Sequence, residues 1–495
     1  MKEKIRVLKN LLYYMAGSYM EYFIGLVISI LIARSLTPSE YGNYAFLIWL
    51  SAMGVILINN GINTAVIKFL AEQRGKRNSE YNVFKYIRGI QLKFASFVIS
   101  IIIVLSYGFH DYYFNEYDLM IVFLMIIAIF FRSMYMFYVS VSKGLEKFKY
   151  SALSILLVSP LNLLLVFFIS RNIPTLDYFI YVYVFISILY CLSIYLLVKR
   201  GVINVSGSID NILKNRILSH IKIVSFNVVL GFIIYKQSEL IFLKWLATEE
   251  LVAYYNVGFL LASSAMLLVP GIFSGLLLPL MSRAGTQKNG GIKDKFITST
   301  RYLLFLSSPV AVIGIIISEI LVELLYGPEY ILSASVLKVC LVSCGIAIVG
   351  NAAQSYFLST DNQKTVLKIY LITAFVNLTL DFILVSNFGL SGAYYANLFA
   401  SFLLTYLLIT SCRNELNALM EYGVYVKLII SSLLAAIPLL LTVSLLNSNL
   451  ILVILSLIIF IPLYIVLSII FNCWSNNDQL FIKYITGRIL SKKIL

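Results

Sequence analysis

Ionisable side chains stand inside long apolar runs at Glu21, Arg34, Lys68, Arg132, Lys236, Glu239, Lys244, Lys338 and Asp381. A charge held at membrane depth is costly, so each such residue is a candidate for work on a charged ligand. Arginine grips an anion through a planar two-pronged fork, and lysine acts as a point charge. A carboxylate in the same surroundings can exchange a proton or Na⁺, or respond to the membrane potential. Each also has a purely structural explanation. Lys236 and Glu239 are three apart on an expected helix and could simply neutralise each other. Arg34 and Lys244 could snorkel to headgroups, and Lys68 suits an ordinary cytoplasmic anchor. Arg132 is harder to dismiss. It stands in IAIFFRSMYMFY with no acid within a turn, so it needs Glu21 or Asp381 from another helix, or a wet cavity.

Other chemistries are missing their residues. The two histidines, His110 and His220, lie far from Cys191, Cys340, Cys344, Cys412 and Cys473. The cysteines therefore read as packing residues and no zinc set is expected. No Gly-rich phosphate loop or hydrolase elbow occurs. We expect no catalytic residue, no metal site and no cofactor, and no enzyme.

The elements that must position these charges are membrane helices. Of the 495 residues 60% are apolar and 12% charged, with a mean hydropathy of +0.92. A soluble domain carries about twice that share of charge. A soluble enzyme, a disordered chain and a secreted disulfide scaffold are thereby excluded. The N-terminal MKEKIRVLKN leads into an apolar stretch too long, and too poor in a cleavage site, for a signal peptide. At about 20 apolar residues per crossing, the sequence predicts fourteen helices: 10–34, 42–69, 84–107, 117–140, 150–170, 177–198, 218–246, 252–281, 297–325, 330–358, 364–386, 390–411, 424–446 and 449–471.

Charge tests that count. With a cytoplasmic N-terminus, 32 of the 38 Lys and Arg fall on one side, as the positive-inside rule requires. The exceptions are Arg34, Arg132, Arg171, Lys236, Lys244 and Lys338. The opposite side is acidic or neutral, as at Asp111, Glu116 and Asp118. Both termini are expected in the cytoplasm. The net charge of +15 then reflects topology, and no nucleic-acid partner is expected. In the tail 475–495, Phe481, Tyr484, Ile485 and Ile489 recur at helical spacing among Lys483, Arg488, Lys492 and Lys493. That suits a basic amphipathic helix on anionic membrane lipids.

An internal repeat organises the helices. A shift of 210 aligns Arg34 with Lys244, Glu40 with Glu250, Tyr44 with Tyr254 and Gly61 with Gly271. A shift of 215 aligns Lys149 with Lys364 and Asn162 with Asn377. The expected fold is an all-α polytopic membrane protein. It has an N-terminal six-helix lobe (1–200), a cytoplasmic linker (201–216), a parallel-repeat C-terminal lobe (217–412) and an extra helix pair (424–471). A cleft between lobes is the default substrate site and makes a monomer sufficient. Asn59, Asn60, Gly61, Asn63 and Thr64 on the second helix match Pro270, Gly271, Ser274, Gly275 and Pro279 on its repeat mate. Paired interruptions of this kind point to a transporter's gating region; close packing through small residues is the structural explanation.

The stretch ARSLTPSEYGNYAF, with NNGINTAVIKFLAE after it and LSTDNQKTVLKIYLITAFVNLTLDFILVSNFGLSGAYYANLFA later, resembles the polysaccharide-transporter family. These are the Wzx-type repeat-unit flippases of the multidrug/oligosaccharidyl-lipid/polysaccharide (MOP) superfamily. The resemblance covers nearly the whole chain in helix number and spacing. It implies flipping of undecaprenyl-pyrophosphate-linked oligosaccharides across a bacterial inner membrane by alternating access, for O-antigen, capsule or related polysaccharide synthesis. A polymerase is an implied partner, and H⁺ or Na⁺ an implied driving ion. On that reading Arg132, Lys236, Arg34, Lys244 and Lys68 are the candidate pyrophosphate cations. Glu21, Glu239 and Asp381 are the candidate coupling or charge-pairing acids. A lipid II flippase is the nearest alternative, but such proteins carry several arginines along the first two helices, and here those helices have Arg34 alone. A cation-coupled drug exporter, a membrane scaffold and an integral lipid-modifying enzyme are further alternatives.

Overall fold

The computed structural model describes residues 2–73, 77–108, 119–199, 209–235, 237–268, 271, 273, 277, 281, 291–360, 362–417, 419–445 and 450–474. Half of the expected linker (201–208), the tail 475–495, Lys236, Pro270, Ser274, Gly275, Pro279 and the acidic 111–118 stretch lie outside the described residues. The described chain is helical and contains no strand. Its first seven helices are α1 (Lys2–Ser35), α2 (Pro38–Asn59), α3 (Ile62–Glu72), α4 (Arg77–Gly108), α5 (Leu119–Gly144), α6 (Phe148–Asn172) and α7 (Leu176–Lys199). After the linker come α8 (Asn211–Tyr235), α9 (Glu239–Leu246) and α10 (Glu249–Leu268). The remainder are α11 (Gly291–Ile316), α12 (Ser318–Tyr326), α13 (Ser333–Ser359), α14 (Gln363–Phe388), α15 (Leu390–Leu416), α16 (Tyr422–Ala435), α17 (Ile437–Leu445) and α18 (Leu450–Ile470). Thirteen segments among the described residues are long and apolar enough to cross a membrane. The 34-residue α1 covers the first expected span.

Several expected spans are interrupted. The 42–69 span breaks at Asn60–Gly61, where Gly61 is left-handed with φ +54°. A Cβ at Gly61 would also sit 2.7 Å from the Ile221 carbonyl oxygen, so glycine is required twice over. The 218–246 span breaks between Tyr235 and Glu239, with Gln237 at φ +57°. Glu239 opens α9 after this break, and the expected Lys236–Glu239 pairing lies outside the described residues. The 424–446 span breaks at Ala436, where Pro438 cannot donate back into the preceding turn. The 297–325 span turns at Ile317 into the short α12.

The turn between α1 and α2 shows why TPSEYG is built as it is. Thr37 caps α2, and its amide donates to Glu40 Oε2 at 3.0 Å while the Glu40 amide donates to Thr37 Oγ1 at 3.3 Å. This is a capping box with proline in the first turn. Tyr41 is buried, and Gly42 lies under the start of α10: a Cβ there would fall 1.9 Å from the Glu249 carbonyl oxygen. Backbone meets backbone at that point, so nothing can yield cheaply. Gly42→Ala is expected to destabilise the protein by ~1–3 kcal/mol or more, read as a lower melting temperature in detergent. Gly25→Ala, which meets nothing within 4 Å, is the control and should be neutral or slightly stabilising.

Two compact units divide the chain. The first comprises Met1–Leu260, Leu325–Tyr330 and Tyr370–Asn397. In it α1 packs along α6, and α5 packs between α7, α2 and α3. Leu47, Ile121, Met125, Ala128, Ile180 and Val184 form one of its cores. The second comprises Leu261–Leu324, Ile331–Ile369 and Leu398–Leu495. Here α11 packs against α13, α16 and α17. Ser308 and Ser432 share a 2.8 Å hydrogen bond, and Arg301 pairs with Glu421. Lys338, at the start of α13, pairs with Glu319 at 2.6 Å.

Candidate functional site

Arg132 is enclosed by tyrosines. On α7, Tyr183, Ser187 and Tyr190 stand at i, i+4 and i+7 and so share one face. The Arg132 Nε donates to Ser187 Oγ at 3.0 Å. Its guanidinium carbon lies 4.8 Å from the Tyr183 ring centre and 5.4 Å from that of Tyr190. Both tyrosines are fixed in turn: Tyr183 by Ser51 of α2 at 2.9 Å, and Tyr190 by Ser159 of α6 at 2.6 Å. Tyr135, one turn on from Arg132, packs on Tyr190 with ring centres 4.9 Å apart. The two cation–π contacts compensate part of the desolvation of the guanidinium, each to the extent of ~0.5–2 kcal/mol. One edge of the fork is thereby spent on Ser187. The Nη groups have no hydrogen-bond partner among the described residues. Glu21 of α1 acts electrostatically on Arg132 without an ion-pair contact, and Lys143 acts on Glu21 in the same way. Of the two acids expected to pair with Arg132, Glu21 acts on it only at a distance, and Asp381 bonds instead to Ser238 and Asn377.

Asp381 belongs to a second cluster. Asn377 and Asp381 are one turn apart on α14, and Ser238 precedes α9. Ser238 Oγ donates to Asp381 Oδ2 at 3.0 Å. Asn377 Nδ2 donates to Ser238 Oγ at 2.8 Å and to Asp381 Oδ2 at 3.3 Å. Asn397 of α15 donates to Glu239 Oε1 at 3.0 Å. Asp381 and Asn377 are 0% exposed and Glu239 1%. Among the described residues Asp381 Oδ1, Asn377 Oδ1 and Asn397 Oδ1 accept no hydrogen bond. Among the described residues no lysine or arginine bonds to either acid. Two buried carboxylates thus stand in one cluster with open oxygen acceptors, the donor set preferred by a proton or a hard cation, and the Tyr255 hydroxyl lies beside Glu239.

The remaining expected residues lie at the ends of the first unit. Lys244, in the last turn of α9, pairs with Glu249 at 2.7 Å and donates to Asn43 at 2.8 Å. Arg34, in the last turn of α1, donates from Nε to the Leu325 carbonyl at 2.8 Å. These repeat mates are held by protein groups at equivalent helix ends, each followed by a glutamate in the next helix's first turn. Burial raises the Tyr326 hydroxyl pKa, so it stays protonated beside Ser29. At the other end, Lys68 is exposed on α3 near His220. Arg216 of α8 pairs with Glu72 at 3.1 Å, and Thr64 lies 3.4 Å from His220. Asn59 is not open to a ligand. It donates to the Ser133 carbonyl at 3.0 Å and accepts from Gln91 at 3.1 Å, tying α2 to α5 and α4. Asn60 and Asn63 each keep an unpartnered buried Oδ1, and Gly271 is half-buried.

Sequence reasoning passed over Tyr135, Tyr183, Ser187, Tyr190, Ser238 and Asn397. The i, i+4, i+7 spacing on α7 was a usable signal, as was the four-residue step from Asn377 to Asp381. Ser238 and Asn397 carried none, because their roles exist only once α9 meets α14 and α15.

Solved structures share this fold. A structure of the lipid II flippase MurJ in an inward closed conformation aligns with TM-score 0.75 at 16% identity, covering 93% of this chain and 98% of that one. An inward-facing multidrug resistance MATE family transporter of the MOP superfamily aligns with TM-score 0.65 at 14% identity, covering 80% and 94%. A MOP superfamily transporter from Pyrococcus furiosus aligns with TM-score 0.62 at 14% identity, covering 83% and 95%. No curated protein matches in sequence. The family described as polysaccharide biosynthesis protein matches over residues 7–284. This multi-pass membrane protein therefore belongs to the polysaccharide biosynthesis protein family and has the fold of MOP superfamily transporters.

Proposed function

We propose that the protein flips undecaprenyl-pyrophosphate-linked oligosaccharide repeat units from the cytoplasmic to the periplasmic leaflet of a bacterial inner membrane. It does so by alternating access of the lobes 1–200 and 217–412, with both termini cytoplasmic, as a monomer that feeds a polymerase. The observation that carries this reading is Arg132. A cation is kept at membrane depth, braced by two tyrosine rings and one serine, with no hydrogen bond from its Nη donors among the described residues. A diphosphate bridging two lipophilic or sugar groups presents the oxygens those donors need. The surrounding tyrosines offer ring faces and hydroxyls to sugars. Glu239 and Asp381 bind the driving ion, H⁺ or Na⁺, and Glu21 adjusts the charge beside Arg132.

Lipid II is the second reading, favoured by the fold shared with MurJ over 93% of the chain. Both substrates carry the same lipid diphosphate, so the glycan portion decides between them. Reconstituted protein given each labelled donor should move the oligosaccharide lipids and leave lipid II behind. Transport of lipid II alone would replace the first reading with the second.

A further inference from the structure

A six-residue strap crosses the end of the first unit that lies away from the N-terminus. Leu325–Tyr330 belongs to this unit, yet its chain neighbours Leu324 and Ile331 both belong to the other. It closes α12 and runs through Gly327, at φ +103°, into a single 3-10 turn, Pro328–Tyr330. Both tyrosines are inserted, Tyr326 at 2% exposure and Tyr330 at 1%. One chain of hydrogen bonds joins the strap to three helices. Tyr326 Oη meets Ser29 Oγ of α1 at 3.1 Å, Ser29 Oγ meets Tyr41 Oη of α2 at 2.7 Å, and Asn256 of α10 donates to that hydroxyl at 3.2 Å. Tyr330 donates to the Ala33 carbonyl at 3.0 Å, and Arg34 reaches Leu325. The Tyr330 ring stands edge-on to Tyr41 and Tyr254, with centres 5.9 and 6.2 Å away.

We propose that this strap is the bolt of the gate on the face opposite the N-terminus. Seated, it holds the ends of α1, α2 and α10 together; withdrawn, it lets that end open. The construction suits reversible use. The contacts named here are made by hydroxyls, an amide, a guanidinium and carbonyls, all groups that water can satisfy once the strap leaves. A Cβ at Gly327 would meet nothing within 4 Å, so open space lies beside the backbone at this turn. The inference rests on the alternating-access reading, but its test does not depend on the substrate.

The test uses full-length protein with its five cysteines replaced, Ser29→Cys as reporter, and a membrane-impermeant maleimide applied from the face opposite the N-terminus. Tyr330→Ala is expected to raise the labelling rate of the reporter thiol at least tenfold, and Tyr326→Phe, which removes one hydroxyl only, by about threefold. Should Tyr330→Ala not fold, Tyr326→Phe and Arg34→Ala carry the same readout. A second arm pairs Ala33→Cys with Tyr330→Cys and joins them with a cleavable bis-thiosulfonate. Turnover should stop on joining and return on cleavage. Unchanged labelling in every loosened variant, or full turnover in the fully joined protein, overturns the bolt. A wild type that moves no oligosaccharide lipid overturns the substrate assignment instead, and the labelling arm still decides the strap.

Discussion

Asp381→Asn is expected to leave the protein folded and at least as heat-stable as the wild type, while ion-driven transport falls at least about 100-fold, or ~2.7 kcal/mol. The two effects have opposite signs for one reason. Asp381 and Glu239 are buried acids with no basic partner among the described residues. An uncompensated buried charge costs several kcal/mol, so removing it relieves the fold. The same charge is what a proton or Na⁺ would neutralise on binding, so removing it abolishes coupling. Asparagine keeps the Oδ that accepts from Ser238 and Asn377. A residue serving only as that acceptor would therefore tolerate the change. Glu239→Gln should behave alike, and the double variant should lose all dependence on the ion gradient. The measurement is flipping under imposed Na⁺ and pH gradients alongside detergent melting curves. Full gradient-dependent transport in the double variant removes the coupling role from this cluster.

Arg132→Ala is expected to lower flipping by about 30-fold to several thousand-fold at normal abundance, chiefly through weaker substrate binding. Truncating one partner of a desolvated charge pair costs ~2–5 kcal/mol. Arg132→Lys should recover part of this, because lysine restores the charge but neither the fork nor the stack on Tyr183 and Tyr190. Ser187→Ala should be milder, since it frees Nε while leaving both ring contacts. A purely packing role predicts a lower melting temperature with the substrate KM unchanged. Full activity of Arg132→Ala at normal abundance ends the assignment of Arg132 to the diphosphate.

Much of the scaffold was legible because its causes are local. Hydropathy over about 20 residues marks a crossing, so the expected spans coincide with helices or broken pairs of helices. TPSEYG announced its turn because threonine, proline and glutamate at those offsets make a capping box. The Gly61 break was legible from glycine among asparagines. The break at Tyr235–Glu239 was not, because the left-handed residue there is Gln237, which no local signal distinguishes.

The sequence by itself determined that the chain is a series of long apolar helices and which ionisable residues stand inside those apolar runs, since each follows from the solvation of individual segments. Tertiary structure decided what those charges do. It set Arg132 between Tyr183 and Tyr190, and sent Asp381 to Ser238 and Asn377 rather than to Arg132. It also bound Lys244 to Glu249 and seated Leu325–Tyr330 against α1. Apolar helix faces are nearly equivalent in hydropathy, so pattern alone cannot say which face meets which. Close packing and the need to satisfy each buried polar group make that choice.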